Sequence, residues 1–352
     1  MVNKYLIISY FILFFIFTGC VKEQPIATPT VKHTTTSQIR DYICSGEYDL
    51  KHNIGEPFTV DSEGNFYMTY DTIDYRMNIE KYNSQGKYIT GWVPEIKKRK
   101  KNCWFSERKH PPNDEKLTDI LANKENIYIV YGAAYGYLEG GYPIDYSGHI
   151  EQFDLNGKFI TAIKPEKDSF VGDFVRYITR NKNGNFYLAS WRHIEKYDAN
   201  WKLQSILYPF EQKWYKRSNF PNNAMIGDVA VNSEGYIYIL LKWSGNNENG
   251  YVSKFDSSGN LITKWLSKDK DKFHFCGLEI DSDNNIYVLG IGKKGIYHIQ
   301  KFDSSGIFIT GLDSKGNGDK YTSTYTDMKI DSKGNIYVDS GNGKIKKFSP
   351  KQ

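Results

Sequence analysis

Cysteine is scarce. The 352 residues hold four, at positions 20, 44, 103 and 276. Their spacing matches no Cys/His metal module. In an oxidising compartment Cys44, Cys103 and Cys276 allow one disulfide with one thiol left over, and buried free cysteine is the simpler expectation. Proline is also low, at 11. An excess of one charge is missing too: 46 Lys and Arg stand against 41 Asp and Glu, a formal net charge of +5. That mixed surface gives no reason to expect a nucleic-acid partner. The one dense basic run, Lys97-Lys98-Arg99-Lys100-Lys101, reads as a solvated loop. Neither a nucleophile motif nor a phosphate-binding glycine loop is found. What the chain has in quantity is aromatic residues, 16% of the total with 28 Tyr and 20 Phe. Such side chains suit half-buried pleated surfaces, so the balance points to β structure.

The first twenty residues, MVNKYLIISYFILFFIFTGC, combine Lys4 with an almost wholly apolar stretch from Tyr5 to Phe17. This is a secretory signal pattern, and its apolar core is short for a membrane span of about 20 residues. Phe17-Thr18-Gly19-Cys20 resembles the lipobox of prokaryotic lipoproteins. That resemblance implies cleavage before Cys20, a diacylglyceryl group on it, and an extracytoplasmic, membrane-anchored protein. Residues 1–19 are then the signal peptide. Residues 20–37 are the lipidated cysteine and a Thr/Pro-rich tether with too few apolar groups to build a core.

From residue 38 onward the chain repeats itself. KFDSSGNLITKW (254–265) returns as KFDSSGIFIT (301–310), and related stretches are EKYNSQGKYITGW (80–92), EQFDLNGKFITAI (151–163) and EKYDANWKLQSIL (195–207). Each is preceded by a partner motif such as VDSEGNFYM (60–68) or IDSKGNIYV (330–338). The tyrosine of that partner motif falls at 67, 128, 187, 238, 287 and 337, with gaps of 61, 59, 51, 49 and 50. A near-constant period over six units is the mark of a repeat architecture. Every unit reads as four short strands. The Asp, Ser, Asn and Gly clusters between them supply side chains that bond back to the backbone and a residue that accepts positive φ. Four strands in each of six units describe an all-β, six-bladed β-propeller over residues 38–352. The sixth unit stops at Phe348-Ser349-Pro350, and the missing strand is expected from Arg40 to Ser45, closing the ring. Closure removes sheet edges that invite aggregation.

DSxGNIYV followed by IxKFDSSGxFIT resembles the NHL repeat of six-bladed propellers, across about residues 56–352. In the second unit Ala122 stands in place of the turn aspartate, and in the third Trp201 stands in place of the turn glycine.

Connectivity sorts the loops by face. The turns after the first and third strands share one face. The loops after the second strand and the links between blades share the other. Long insertions at 93–117, 132–148, 208–226 and 242–250 all fall on that second face. Functional residues concentrate on loops held by a rigid scaffold. Trp104, Trp214, Tyr215 and Trp243 are the candidate ligand contacts there, with His110, Tyr135, Tyr137, Tyr142 and Arg217 nearby. Flat aromatics beside polar groups suit a protein or carbohydrate partner, or else pack the loops onto the scaffold.

At the channel mouth on the same face, Asp228 and Asp327 share a register four residues before the turn. Pro57, Thr118, Tyr177 and Gly277 hold that register in the other units. The two carboxylates either cap backbone groups or meet a cation or amine. Glu279 and Lys329 share the next inward register and are expected to pair. His274 lies near the mouth, and His149, His193 and His298 recur just before third strands. The reading from sequence is a lipid-anchored propeller that binds a protein or glycan partner through the long-loop face, without a cofactor. The alternative is a lactonase- or lyase-like enzyme at the channel mouth, which would need a divalent cation.

Overall fold

The computed structural model describes residues 42–49, 57–71, 77–94, 116–137, 143–163, 175–190, 193–209, 224–243, 251–266, 274–291, 297–313, 327–339 and 344–351. Among these residues the regular structure is strand throughout, in six four-stranded antiparallel sheets. The first strands of the blades are Phe58–Val60, Lys116–Ala122, Tyr177–Arg180, Ala224–Val231, His274–Ile280 and Met328–Ile330. They touch one another in sequence order, and the sixth returns to the first. The molecule is therefore a six-bladed β-propeller with these strands around its axis.

Closure occurs as expected. Tyr42–Asp49 pairs antiparallel with Lys344–Pro350 and becomes the outermost strand of the blade whose other three strands end the chain. Its first residue bridges blades: the Tyr42 hydroxyl lies 2.8 Å from that of Tyr287 in blade 5. Cys44 lies on this outer strand, as expected, but it is exposed rather than buried. Cys276 is partly buried, both are free thiols, and Cys103 lies outside the described residues.

The repeated turn serves the backbone. In blade 1 one carboxylate oxygen of Asp61 accepts the N–H groups of Glu63 and Asn65, both at 2.9 Å. The other oxygen takes the hydroxyl of the fully buried Tyr67 at 3.0 Å. Blades 5 and 6 repeat this with Asp281–Tyr287 and Asp331–Tyr337. A buried phenol needs such a partner, so the aspartate and the tyrosine six residues later are one device. The hydrophobic core is correspondingly divided among the spaces between blades. Blade 4 and blade 5 share one such layer, built on Tyr238, Leu240, Leu278, Val288 and Trp265.

The turn between third and fourth strands carries a second requirement. At Gly306, φ is +86°, and a Cβ there would stand 2.6 Å from the ring of Trp265 in the preceding blade. Glycine thus supplies both the left-handed conformation and room for a neighbour's side chain. Blade 3 solves this differently: Trp201 adopts φ 63°, and its own ring stacks on Phe186 at 4.1 Å.

Two expectations need correction. The second unit turns at Asn123, not Ala122, because its hairpin is one residue shorter. Asn123 N donates to Asn126 O, whereas Asp61 N reaches across to Asn65 O. The Asn123 side chain accepts the N–H groups of Glu125 and Asn126. Second, the 132–148 insertion is largely strand rather than loop. Asn126–Tyr137 and Pro143–Asp154 pair along their whole length.

Candidate functional site

The channel mouth follows from the first-strand register. Residues two after each repeat tyrosine pair with Pro57, Asp119, Tyr177, Asp228, Gly277 and Asp327. Thr118, expected at this place in blade 2, gives way to Asp119, since the shorter turn shifts the count by one. The mouth therefore holds three aspartates, in alternate blades 2, 4 and 6, where sequence counting finds two. The pair of asparagines at 123 and 126 is the signal that locates Asp119.

All three carboxylates make the same bonds. Asp119 accepts the N–H of Ile120 in its own strand and of Ile178 in blade 3, both at 2.8 Å. Asp228 accepts the N–H of Val229 and of Leu278 in blade 5, both at 2.7 Å. Asp327 accepts the N–H of Met328 at 2.8 Å and that of Phe58 in blade 1. Each aspartate therefore fastens its own first strand to the first strand of the following blade. Buried backbone N–H groups near the axis would otherwise lack acceptors. Blades 1, 3 and 5 receive a fastening from the blade before them, so the three aspartates bridge three of the six blade junctions.

Below this ring Lys329 lies 3.0 Å from Asp327 and 3.1 Å from Glu279, which realises the expected ion pair. One ammonium thus faces several carboxylates in a confined channel. Burial, with Asp327 and Asp228 adding repulsion, pushes the Asp119 carboxyl up to about 8 despite Lys329. Burial likewise pushes Glu279 up to about 7. Lys329 is held well above its ordinary value because its attraction to Asp327, Glu279, Asp119 and Asp228 outweighs burial. Burial and the nearby Asp228 also drive the Tyr177 phenol upward. Among the described residues no group of three or more His, Cys, Asp or Glu side chains is placed to hold a metal ion. Each mouth aspartate accepts backbone N–H groups, and Asp327 also meets Lys329.

Trp243 ends the second strand of blade 4, opposite Ala224, and His274 begins the first strand of blade 5, opposite Ile291. Their side chains, like those of Tyr135, Tyr137 and His298, are outside the described set. Trp104, His110, Tyr142, Trp214, Tyr215, Arg217 and Cys20 also lie outside the described residues. His149 and His193 occupy the same place in blades 2 and 3, each beside a buried glutamate at 3.6 and 3.5 Å. They belong to the repeat and form no cluster. Among the described residues the feature that departs most from the repeat is the blade 2 hairpin. Its strands pair with the first strand only as far as Gly132, then continue as a two-stranded arm from Ala133 to Tyr137 and Pro143 to Ser147. That arm projects on the long-loop face.

No family model matches the chain, and no curated protein matches it. Solved structures do. A protein of unknown function from Dyadobacter fermentans aligns at 9% identity and TM-score 0.57, over 89% of this chain and 100% of that one. A luciferin-regenerating enzyme aligns at 13% identity and TM-score 0.50, over 89% of this chain and 94% of that one. The WD40 β-propeller domain of Doa1 aligns at 10% identity and TM-score 0.49, covering 89% and 98%. At such identities the likeness is one of fold.

Proposed function

We propose that this chain is a lipid-anchored, extracytoplasmic propeller of NHL-type repeats that binds a protein or glycan partner through its long-loop face. The observation that carries the reading is the division of labour between the two faces. One face holds short, nearly identical turns whose polar side chains are spent on the backbone. On the other, among the described residues, stands the long two-stranded arm of blade 2. A rigid ring presenting unequal loops on one side is a binding scaffold. The mouth aspartates have a structural role that accounts for their presence, since their oxygens accept N–H groups across blade junctions. A fold shared with an enzyme does not transfer its activity.

The test is a capture experiment with the acylated protein against candidate glycans and surface proteins. Replacing residues 133–147 by Asn-Gly, a pair that closes a two-residue hairpin, is expected to leave the circular dichroism spectrum unchanged and abolish capture. Trp214→Ala and Trp243→Ala are expected to weaken it. Capture undiminished in all three variants would overturn the assignment of the face. Stoichiometric Ca²⁺ or Zn²⁺ in the purified protein, lost in Asp228→Ala and Asp327→Ala, would instead carry the metal-dependent lactonase- or lyase-like reading.

A further inference from the structure

We propose that the rim of the short-turn face is a docking surface for the lipid bilayer, so that the long-loop face points away from the membrane. This rests on the lipid anchor proposed at Cys20.

The first support is where the chain enters the ring. Tyr42, the first residue of the closing strand, lies at the turn face: its hydroxyl meets that of Tyr287, which in turn donates to the turn residue Asp281. Only residues 21–41 separate Tyr42 from Cys20. A chain of that length has a root-mean-square reach of about 25 Å. The chain thus enters the ring on the turn side, opposite the arm of blade 2.

The second support is independent and concerns side chains. Each outer strand carries a β-bulge at the same level, which in blades 1 to 5 directly follows the turn between third and fourth strands. The extra residue is Ile89, Ile160, Gln204, Ile262, Ile309 or Ser45, in blades 1 to 6. Bulges at an edge twist it out of reach of other strands. The bulge itself has no need of an apolar residue, because Gln204 and Ser45 form it equally well. Yet four of the six are isoleucine, and all four stand about half exposed. Tyr88, Phe159, Leu261, Ile307 and Ile43 add exposed apolar groups beside them. Isolated exposed apolar residues need no explanation, but four isoleucines at one level, in blades 1, 2, 4 and 5, do. Exposed Lys87 and Lys158 precede the aromatic–isoleucine pairs of blades 1 and 2. Aromatic, aliphatic and long cationic side chains side by side suit the boundary between headgroups and acyl chains.

The exposed thiol of Cys44 reports on this rim. Full-length acylated protein carrying Cys103→Ser and Cys276→Ser, labelled at Cys44 with a fluorophore, is placed in phosphatidylcholine vesicles containing a brominated-lipid quencher. Emission is expected to fall roughly two-fold, while the same label on Ala134→Cys, on the arm, with Cys44→Ser, is unquenched. Ile89→Gln and Ile160→Gln together, which copy the polar bulge of Gln204, should restore much of the Cys44 emission with circular dichroism unchanged. Acyl labelling of Cys20 is scored in the same samples. Acylated protein showing no quenching at Cys44, or quenching at position 134 instead, overturns the rim proposal and leaves the anchor standing. Loss of Cys44 emission without quencher lipid, rising with protein density, would assign the rim to a second copy and overturn it too. Absence of acylation removes both.

Discussion

Asp228→Ala tests whether the mouth aspartates hold the ring together. The wild-type carboxylate accepts two backbone N–H groups at 2.7 Å, from Val229 in its own strand and Leu278 in the next blade. Both donors belong to buried residues. Alanine leaves them without that acceptor, at about 1–3 kcal/mol each. Water entering from the channel recovers part of this, and losing one charge from a crowded set of carboxylates recovers a little more. A net cost of about 3 kcal/mol is expected, or a fall in Tm of about 4–5 °C, because the entropy of unfolding grows with chain length. Asp228→Asn keeps one acceptor oxygen and sheds the charge, so its cost should be about 1–2 kcal/mol. Differential scanning fluorimetry, with and without EDTA, reads both variants. The same loss in both buffers, with asparagine between wild type and alanine, is the expected pattern. An alanine variant as stable as wild type would refute the fastening. So would a loss seen only without EDTA, because a metal would then be supplying the stability.

Three further outcomes follow from the geometry. Asp119 and Glu279 are pushed up to about 8 and about 7 by burial, so folding raises their proton affinity. Their contribution is fully present below the ordinary carboxylate range and is lost as pH climbs toward 7–8, so Asp119→Asn should flatten the decline of Tm between pH 5 and 8. A steeper decline in the variant would contradict this. Deleting residues 42–49 strips the outer strand from the last blade, exposes the ladder of Lys344–Pro350 and unpairs Lys344 from Glu47; size-exclusion chromatography should show larger oligomers or aggregates than the intact protein gives. Trp201→Gly relieves a positive φ but removes a ring stacked on Phe186 at 4.1 Å. The lost packing is the larger effect, so a net destabilisation of about 1–3 kcal/mol is expected in chemical denaturation.

The repeat was legible because its causes are local. An Asx turn needs its aspartate and glycine a few residues apart, and a buried tyrosine needs its acceptor six residues earlier. Such constraints recur at a fixed spacing whatever surrounds them. Strand number, blade number, the closing strand and the Glu279–Lys329 pair could all be read from that spacing. Asp119 could not, because a turn shortened by one residue moves the register without changing the apolar pattern, and the motif count started from Ala122 rather than Asn123.

Sequence alone determined the ring: six units of four strands. Tertiary structure decided what the residues at the axis do. A carboxylate in a first strand reads the same whether it awaits a cation or holds a neighbour. Only the approach of the following blade, bringing the N–H groups of Ile178, Leu278 and Phe58 within reach, makes Asp119, Asp228 and Asp327 fasteners. The same holds for the rim. Only the paired strands show Ile89, Ile160, Ile262 and Ile309 as bulge residues, and only the folded chain shows them about half exposed.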